Sequence, residues 1–359
     1  MKQKTIIALL VIIMMLVGVT ACSTPKTQES AESASQSKVT TEATTETTME
    51  ATTEGKRIGY LAFSLADVWD QYGNDCAIWA AESVGVEVTT FDSEGNPETQ
   101  VNQAEELINS GVDGIILFPC TPESGATIVR MGNEANIPVA IRCIFLSDDV
   151  NTAGQAGFQY RDVGYTAFKY ISEKFPGARV LFVHGEVGMG IHEDYMIGVE
   201  KALKDFEGKV SLTELLNGKW VTEASYNVTN DYLQAGNKDT FDVVFAANGM
   251  ESKGVYGALR DNGIENIPII STGGSPDDFE MFNDGIEYAN MTIPPSFEGF
   301  MAFKYLWKAM NGIEVDEKSM ALPVNPVDKT NVDEWIQWGD FQAASDYFGG
   351  LDSDVTTKK

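Results

Sequence analysis

The chain has 359 residues and a formal charge of −28 at pH 7, because 53 acidic side chains outnumber 25 basic ones. This charge argues against nucleic acid as a partner, since proteins that bind phosphate backbones carry basic surfaces. The length suffices for about two domains, and two histidines in the whole chain exclude a His-rich metal site. We therefore expect an acidic protein with apolar cores and no metal or other cofactor.

The first 22 residues have the pattern of an export signal. Lys2 and Lys4 precede an apolar run over residues 6–17, which is too short and wrongly flanked for a stable membrane span. The following Val19-Thr20-Ala21-Cys22 resembles the bacterial lipobox. This resemblance implies cleavage before Cys22 and lipid attachment to its sulfur. An ordinary secretory signal that is cut elsewhere is the alternative, and both interpretations predict export.

Residues 23–55 are rich in Ser, Thr, Glu and Ala and contain no aromatic side chain. Such a composition buries little apolar surface and predicts a disordered tether. A tether behind a lipid-modified Cys22 would let a folded domain stand off the membrane through a cell wall. We therefore expect a palmitate-bearing protein, lipid-anchored on the extracellular face of the cell membrane, and the tether favours a Gram-positive cell.

From residue 57 onward, short apolar runs alternate with helical periods, which is typical of βα units around a parallel sheet. In the first half, the pattern predicts strands at 57–63, 114–118 and 139–144 and helices at 69–85, 97–111 and 122–135. In the second half, it predicts strands at 180–183, 211–215 and 242–247 and helices at 194–206, 222–233 and 250–260. Two similar lobes follow, and their facing strand ends would form a ligand cleft.

Five short phrases resemble a known family: Ile58-Gly59-Tyr60, residues 107–116, residues 135–139, residues 244–249 and Pro294. Together they make residues 57–335 similar to the type I periplasmic binding proteins, the ribose-binding-like substrate-binding proteins of ABC importers. The resemblance implies an α/β fold of two Rossmann-like lobes with parallel sheets, joined by a three-segment hinge. The crossovers are expected near Phe158, Thr292 and Ala321.

The implied division of the chain has four parts. They are residues 1–22, the lipoprotein signal peptide and lipobox; residues 23–55, the tether; residues 56–158 with 293–321, the N-terminal lobe; and residues 159–292 with 322–359, the C-terminal lobe. Five aromatic side chains between residues 335 and 350 indicate that the last stretch packs on a lobe.

The resemblance also implies a mechanism. The lobes close over a small sugar-like ligand, and the closed form docks on an ABC permease. The chain is expected to act as a monomer. The alternative is a sensor that presents the ligand to a membrane receptor or histidine kinase. A repressor of the same fold is excluded, because those proteins begin with a helix-turn-helix where this chain has a lipobox and a tether.

In sugar-binding members of the family, the loop after the first strand carries Asn and two aromatic residues, and the matching positions here hold Asp67, Trp69 and Asp70. A carboxylate can grip two hydroxyls and an indole can cover the apolar side of a sugar ring, so Asp67 with Trp69 is a candidate clamp. A cap at the helix start is the alternative role for Asp67. Phe63 and Phe118 are expected to add apolar walls.

Arg142 is displaced by one residue from the position where sugar binders carry an Asp-Arg pair, and such a shift along a strand reverses the face. An Arg inside an apolar strand needs an anionic or carbonyl partner. Arg142 is therefore either a ligand residue or the holder of a buried acid.

In the second lobe, the resemblance places ligand contacts at His192, Glu193, Asn248 and Gly273, and Asn248 alone keeps the family's identity. Several charged residues that bind hydroxyls in sugar-binding members of the family are replaced here. Together with rings such as Trp220, these replacements favour a ligand that is flatter or less hydroxylated than a free pentose. A nucleoside or a modified sugar would fit.

Residues 184–194 gather both histidines, two Glu and one Asp, which permits a metal site or an acid–base pair. The resemblance instead implies a ligand-contacting loop. The sequence contains no Gly-x-Ser-x-Gly elbow and no Cys–His pairing at a strand end, so we expect no enzyme activity. Cys120 and Cys143 end neighbouring strands, which permits a disulfide or a thiol that faces the ligand.

Overall fold

The computed structural model describes residues 55–188 and 190–355. The expected signal segment, the lipobox with Cys22 and all but the last residue of the expected tether lie outside the described residues. No helix in the described ranges is both long enough and apolar enough to cross a membrane.

Two six-stranded sheets form the framework of the described residues. Their strands are, in chain order, β1 (Arg57–Ala62), β2 (Glu87–Asp92), β3 (Gly114–Leu117), β4 (Val139–Arg142), β5 (Gly154–Gly157), β6 (Ala178–His184), β7 (Val210–Asn217), β8 (Val243–Ala246), β9 (Ile269–Gly273), β10 (Ala289–Thr292), β11 (Ser319–Ala321) and β12 (Asn325–Asp328). The first sheet has the order β11-β5-β4-β3-β1-β2 and is parallel throughout. The second has the order β12-β10-β9-β8-β6-β7 and is parallel except for β12. The expected pair of α/β lobes is confirmed.

Helices cover both sheets. They are α1 (Val68–Glu82), α2 (Pro97–Ser110), α3 (Pro122–Glu134), α4 (Tyr160–Lys174), α5 (Ile191–Asp205), α6 (Thr222–Gln234), α7 (Gly249–Asp261), α8 (Pro276–Asn283), α9 (Pro295–Met310) and α10 (Phe341–Tyr347), with a short 3₁₀ turn at Val332–Glu334. Central strands such as β3 and β8 are buried along their whole length. This burial explains their unbroken apolar sequences, because parallel strands are covered on both faces.

Local sequence signals set the helix boundaries. The Asn96 side chain caps α2 by accepting from two backbone N–H groups of the first turn, at 2.9 and 3.0 Å. Thr121 and Ser124 form a reciprocal capping box at the start of α3. Gly111 ends α2 with a φ of 71°, a left-handed conformation that favours glycine. Each signal lies within three residues of the boundary that it sets, so these boundaries could be predicted from the sequence.

The chain passes between the two sheets at three places. Phe158 follows β5 before α4, Ile293 follows β10 before α9, and Leu322 follows β11 before β12. All three residues are buried, with at most 3% of their surface exposed. Two lobes that are linked through such short passages can move about them as a hinge.

The C-terminal segment packs differently from the sequence-based assignment. The sequence analysis places residues 322–359 with the C-terminal lobe, but α10 packs on α9 and α1 of the first lobe. The reason lies in α9, whose residues 295–308 are all buried. A helix that is apolar on all sides needs cover away from its sheet as well. Tyr347 and Phe348 supply that cover, with ring centroids 4.7 and 4.9 Å from Phe297.

Candidate functional site

Residues at the carboxyl ends of the parallel strands of the two sheets lie on either side of a cleft. In the first lobe, Phe63 follows β1 and Trp69 lies in the first turn of α1; in the second, Asn248 follows β8 and Gly273 ends β9. Trp338 contacts both sides, because its ring lies 5.3 Å from that of Trp69 and its indole N–H donates to the Gly273 carbonyl at 3.0 Å. Ligands of open parallel sheets bind beyond these strand ends. We call this region the interlobe cleft.

Arg142, at the end of β4, forms a buried network with two acids and Tyr60, the Arg142 network. Its Nη1 donates to Asp70 Oδ1 at 3.0 Å and to Tyr60 Oη at 2.6 Å, and its Nη2 donates to Glu298 Oε2 at 2.9 Å. The side chains of Arg142 and Asp70 are fully buried. The geometry of Arg142 therefore matches the holder of buried acids. Asp70, which the sequence analysis places among the ligand contacts, exposes no surface and supports the cleft from behind.

Burial and the guanidinium act in opposite directions on the two acids of the Arg142 network. Burial raises the pKa of Asp70 and of Glu298, while the nearby Arg142 lowers both to a smaller extent. A glycine is needed at Gly73, because a Cβ there would lie 2.1 Å from Arg142 Nη1. The Phe118 ring lies 5.0 Å from the guanidinium carbon, a cation–π contact that adds to the hold on Arg142.

Aromatic residues form the wall of the first lobe. The Phe63 and Phe118 rings lie 5.4 Å apart, and Trp69 packs edge-on against Phe158 at 6.2 Å. The Trp69 indole N–H donates to Glu298 Oε2 at 3.1 Å, which fixes the plane of the ring. Phe118 is buried, whereas Phe63 and Trp69 are partly exposed. Both exposed rings can therefore meet a ligand.

Asp67 caps α1 and is exposed at the same time. Its Oδ1 accepts from the backbone N–H of Trp69 at 3.0 Å, so the capping role considered for it is present. Its exposed carboxylate also leaves room for a ligand. The two roles of Asp67 are compatible.

On the second lobe, the ring of His192 lies 4.0 Å from that of His184. His192 Nδ1 is buried and has no hydrogen-bond partner in the described part of the chain. Burial lowers the pKa of His184, and the neighbouring His192 lowers it further against an opposing backbone hydrogen bond to Gly185. Glu193 is exposed and accepts from the Gly188 N–H at 2.9 Å. The loop thus brings a neutral His184 and an unsatisfied His192 nitrogen to the end of β6.

Asn248 and Trp220 occupy the adjoining strand ends of the second lobe. Asn248 Oδ1 caps α7 by accepting from the Glu251 N–H at 2.8 Å, and its Nδ2 lies 3.4 Å from the Trp220 carbonyl. Trp220 has a φ of 64°, which is unusual for a bulky side chain and is concentrated at functional sites. Its ring packs so closely on Gly185 that a Cβ there would lie 1.8 Å from it.

Three buried acids lie beneath these strand ends: Glu251, Asp278 and Glu287, the second-lobe acid group. None of them forms a salt bridge within residues 55–188 and 190–355. Burial raises the pKa of Glu251 to about 8 and that of Asp278 to about 6. Burial and the nearby Asp278 raise the pKa of Glu287 well above its ordinary value. Glu251 and Glu287 therefore favour their protonated forms near neutral pH, whereas the acids of the Arg142 network lie beside a guanidinium.

Cys76, Cys120 and Cys143 are free thiols, so the disulfide considered between Cys120 and Cys143 is not formed. Cys120 Sγ instead lies 3.2 Å from Ser93 Oγ. Cys143 has a φ of 68°, a left-handed conformation at the end of β4. In the described ranges, no group of three or more His, Cys, Asp or Glu side chains is placed to hold a metal ion.

Glu298 and the cleft position of Trp338 are not among the features predicted from the sequence. Glu298 is the only acid in α9 and lies next to Phe297 in an otherwise apolar stretch. An acid in such a stretch must find a buried partner, so its presence was a usable signal. Trp338 carried no comparable signal, because its partners Trp69 and Gly273 lie far away in the sequence.

The sequence profile of the family described as Periplasmic binding protein domain matches residues 58–314. The chain is 25% identical over 205 residues to the D-xylose-binding periplasmic protein of Escherichia coli, which covers 56% of this chain and 61% of that protein, less than two thirds of its length. It is 24% identical over 243 residues to the ribose import binding protein of the same organism, which covers 66% of this chain and 79% of that protein.

Solved structures share the fold. A solute-binding protein of an ABC transporter from Bacillus halodurans, with bound myo-inositol, superposes with a TM-score of 0.68 at 21% identity over 79% of this chain and 97% of that one. The binding protein of the arabinose ABC transporter from Shewanella, bound to L-arabinofuranose, has a TM-score of 0.68 at 18% identity over 84% of this chain and 100% of that one. The chain belongs to the periplasmic binding protein domain family and has its type I fold of two α/β lobes.

Proposed function

We propose that the chain is an extracytoplasmic solute-binding lipoprotein that captures a sugar or sugar-like ring in the interlobe cleft and delivers it to the permease of an ABC importer. The observation that carries this proposal is the meeting of aromatic faces and polar groups from two hinged lobes at facing strand ends. Relatives named for xylose and ribose, and structural neighbours with bound myo-inositol and arabinofuranose, support the sugar class.

The first lobe offers the apolar side of the binding site. Sugar rings expose C–H faces that pack on aromatic rings. The polar edge of Trp69 is occupied, because its N–H is bound to Glu298. The ring face of Trp69 is therefore what a ligand would meet, with Phe63 beside Phe118 as a second apolar surface.

Polar groups for hydroxyls come from both lobes. Asp67 is exposed beside Trp69, and a carboxylate can accept from two hydroxyls. From the second lobe, the unsatisfied Nδ1 of His192 and the side chain of Asn248 are the nearest candidates. Glu193 and Gly273 complete the proposed set of contacts, and Gly273 lines the site as backbone, because its carbonyl is already bound by Trp338.

Closure is the step at which recognition becomes selective. A ligand that touches both lobes binds the closed form more tightly than the open one, so it shifts the population toward closure by that difference in affinity. A permease that docks only the closed form would then receive loaded protein. Lipid attachment at Cys22 and the tether of residues 23–55 would keep the lobes close to that permease.

Thermal unfolding of the purified chain against a panel of sugars, polyols, nucleosides and small aromatic compounds tests this proposal. A ligand at 100 times its dissociation constant adds about 2.7 kcal/mol to the native state, so one chemical class should raise the unfolding temperature. Trp69→Ala should abolish the shift. The control is Trp79→Phe in the same helix, whose ring lies against Phe341 of the C-terminal segment. A panel without any effect on a folded, ligand-free chain would contradict sugar capture.

A further inference from the structure

The C-terminal strap, residues 332–355, runs from the second lobe to the first in addition to the three hinge passages. Its second-lobe end is held by Trp335, which is 7% exposed. The Trp335 ring lies 5.2 Å from Phe279 and 5.4 Å from Phe282, and its indole N–H donates to the Gly274 carbonyl at 3.3 Å. This end of the strap therefore moves with the second lobe.

The other end of the strap is held on the first lobe. Phe341 packs on Trp79 of α1, with 6.3 Å between ring centroids. The ammonium group of Lys304, in α9, donates to the carbonyls of Phe348 and Asp354 at 3.0 and 3.2 Å. Lys304 is fully buried, so these carbonyls satisfy a charge that is cut off from water. The two ends of the strap are thus fixed to different lobes.

Trp338 lies between these ends and touches both sides of the interlobe cleft. Its indole N–H donates to the Gly273 carbonyl of the second lobe at 3.0 Å. Its ring packs edge-to-face on Trp69 at 5.3 Å and 84°, and on Tyr72 at 5.6 Å and 77°, both in the first lobe. Only 7% of its surface is exposed. The contacts of Trp338 therefore depend on the distance between the two lobes.

We propose that Trp338 is a positioning residue for ligand capture, which holds Trp69 and Gly273 at the separation of the closed cleft and fixes the plane of the Trp69 ring. This role rests on the proposed function, because Trp69 and Gly273 are its proposed ligand contacts. On this proposal, opening of the lobes would separate Trp69 from Gly273, and Trp338 could then follow only one of them. Its two contacts therefore favour the closed arrangement and raise the fraction of the chain that is competent to bind.

Small-angle X-ray scattering of the purified, ligand-free chain tests the proposal without any known ligand. Trp338→Phe keeps a ring against Trp69 but removes the N–H that binds Gly273. We expect a larger radius of gyration for Trp338→Phe and a still larger one for Trp338→Ala. Trp335→Phe is the matched control, because it removes the N–H bound to Gly274 but leaves the contacts between the lobes intact. Trp335→Phe should scatter like the unmodified chain.

Affinity supplies the second measurement, with D-ribose, D-xylose and myo-inositol as probes. For a probe that binds, Trp338→Phe should weaken binding roughly five-fold, the effect of one lost hydrogen bond. Unchanged scattering of Trp338→Phe, equal expansion of Trp335→Phe, or expansion without loss of affinity would each overturn the positioning role. If no probe binds the unmodified chain, the sugar assignment fails, while the scattering comparison still decides the role of Trp338.

Discussion

Both lobes bury acids beside the interlobe cleft, but they neutralise these acids in different ways. The Arg142 network compensates its two carboxylates with one guanidinium, whose nitrogens lie within 3.0 Å of both. The second-lobe acid group has no such cation, and burial raises its pKa values so that protons take that place. A guanidinium stays charged at every physiological pH, whereas a proton is released as the pH rises. The first lobe therefore depends on keeping its cation, whereas, in the described part of the chain, the second-lobe acid group has only protons to neutralise it.

Removing the guanidinium should have the largest effect. Arg142→Met leaves Asp70 and Glu298 buried without a counter-charge, and breaking a buried pair in this way costs about 3–5 kcal/mol. The measurement is the free energy of unfolding by chemical denaturation. Arg179→Met is the matched control, because Arg179 forms an ion pair with Asp242 in which both side chains are nearly half exposed. That loss should be much smaller, because solvent screens an exposed ion pair, and equal losses for both variants would refute the compensation described for Arg142.

The second lobe should respond to pH with the opposite sign from a salt-bridged acid. An acid whose pKa is higher in the folded protein binds more protons when folded, so the free energy of unfolding falls as the pH rises. The fall should extend from about pH 4, the unfolded value, through the folded values of about 6 for Asp278 and about 8 for Glu251. Each of these acids should contribute a fall of up to about 1.4 kcal/mol per pH unit between its unfolded and its folded pKa, measured by denaturation at each pH.

Glu251→Gln isolates the contribution of one member of the second-lobe acid group. The amide keeps an oxygen to accept from the Trp220 N–H, now 3.1 Å from Glu251 Oε1, but no longer titrates. The decline of stability with pH should become shallower. Glu223→Gln, at an exposed position in the first turn of α6, serves as the control and should keep the full decline. If the free energy of unfolding of Glu251→Gln falls with pH as steeply as that of the unmodified chain, Glu251 does not contribute to the pH dependence.

Substitution of two glycines, Gly73 and Gly185, compares how tightly each lobe holds the side chain that packs on the glycine. In Gly73→Ala, the new Cβ meets the fully buried guanidinium of Arg142, which has no space to move, and overpacking of this kind costs about 1–3 kcal/mol. In Gly185→Ala, it meets the partly exposed ring of Trp220, which can turn toward the cleft. Gly73→Ala should lower the free energy of unfolding more, and Gly185→Ala should mainly weaken ligand binding. The reverse order of stability losses would show that Trp220 is the more tightly held of the two side chains.

Features set by local contacts could be predicted from the sequence, and those set by distant contacts could not. The caps at Asn96 and Thr121 depend on hydrogen bonds that reach at most three residues along the chain. Arg142 was expected to need an anionic or carbonyl partner, but nothing in the sequence pairs it with Glu298, which lies 156 residues away. The strap is a similar case, because its aromatic residues predict packing on a lobe without indicating which one.

The same contrast between local and distant contacts holds within the candidate site. Strand ends place Phe63, Trp69 and Asn248 at the cleft, and alternating strands and helices were sufficient to locate those ends. The second-lobe acid group stayed unnoticed, because an acid in the first turn of a helix, such as Glu251, is ordinarily an exposed residue that favours the helix dipole. Only the burial of the Glu251 side chain itself, which accepts from the Trp220 N–H of the neighbouring loop, turns it into a proton-holding group.

The smallest effect separates the two roles of Asp67. Asn caps a helix as well as Asp does, whereas loss of the capping oxygen in Asp67→Ala costs about 1 kcal/mol. Asp67→Asn should therefore keep the free energy of unfolding, and Asp67→Ala should lower it. If the carboxylate also binds ligand hydroxyls, both variants lose affinity for the sugar identified by thermal unfolding, since Asn offers one neutral acceptor oxygen, already engaged in the cap, where the carboxylate offers two charged ones. Full affinity in Asp67→Asn would leave Asp67 as a helix cap alone and assign hydroxyl recognition to the second lobe.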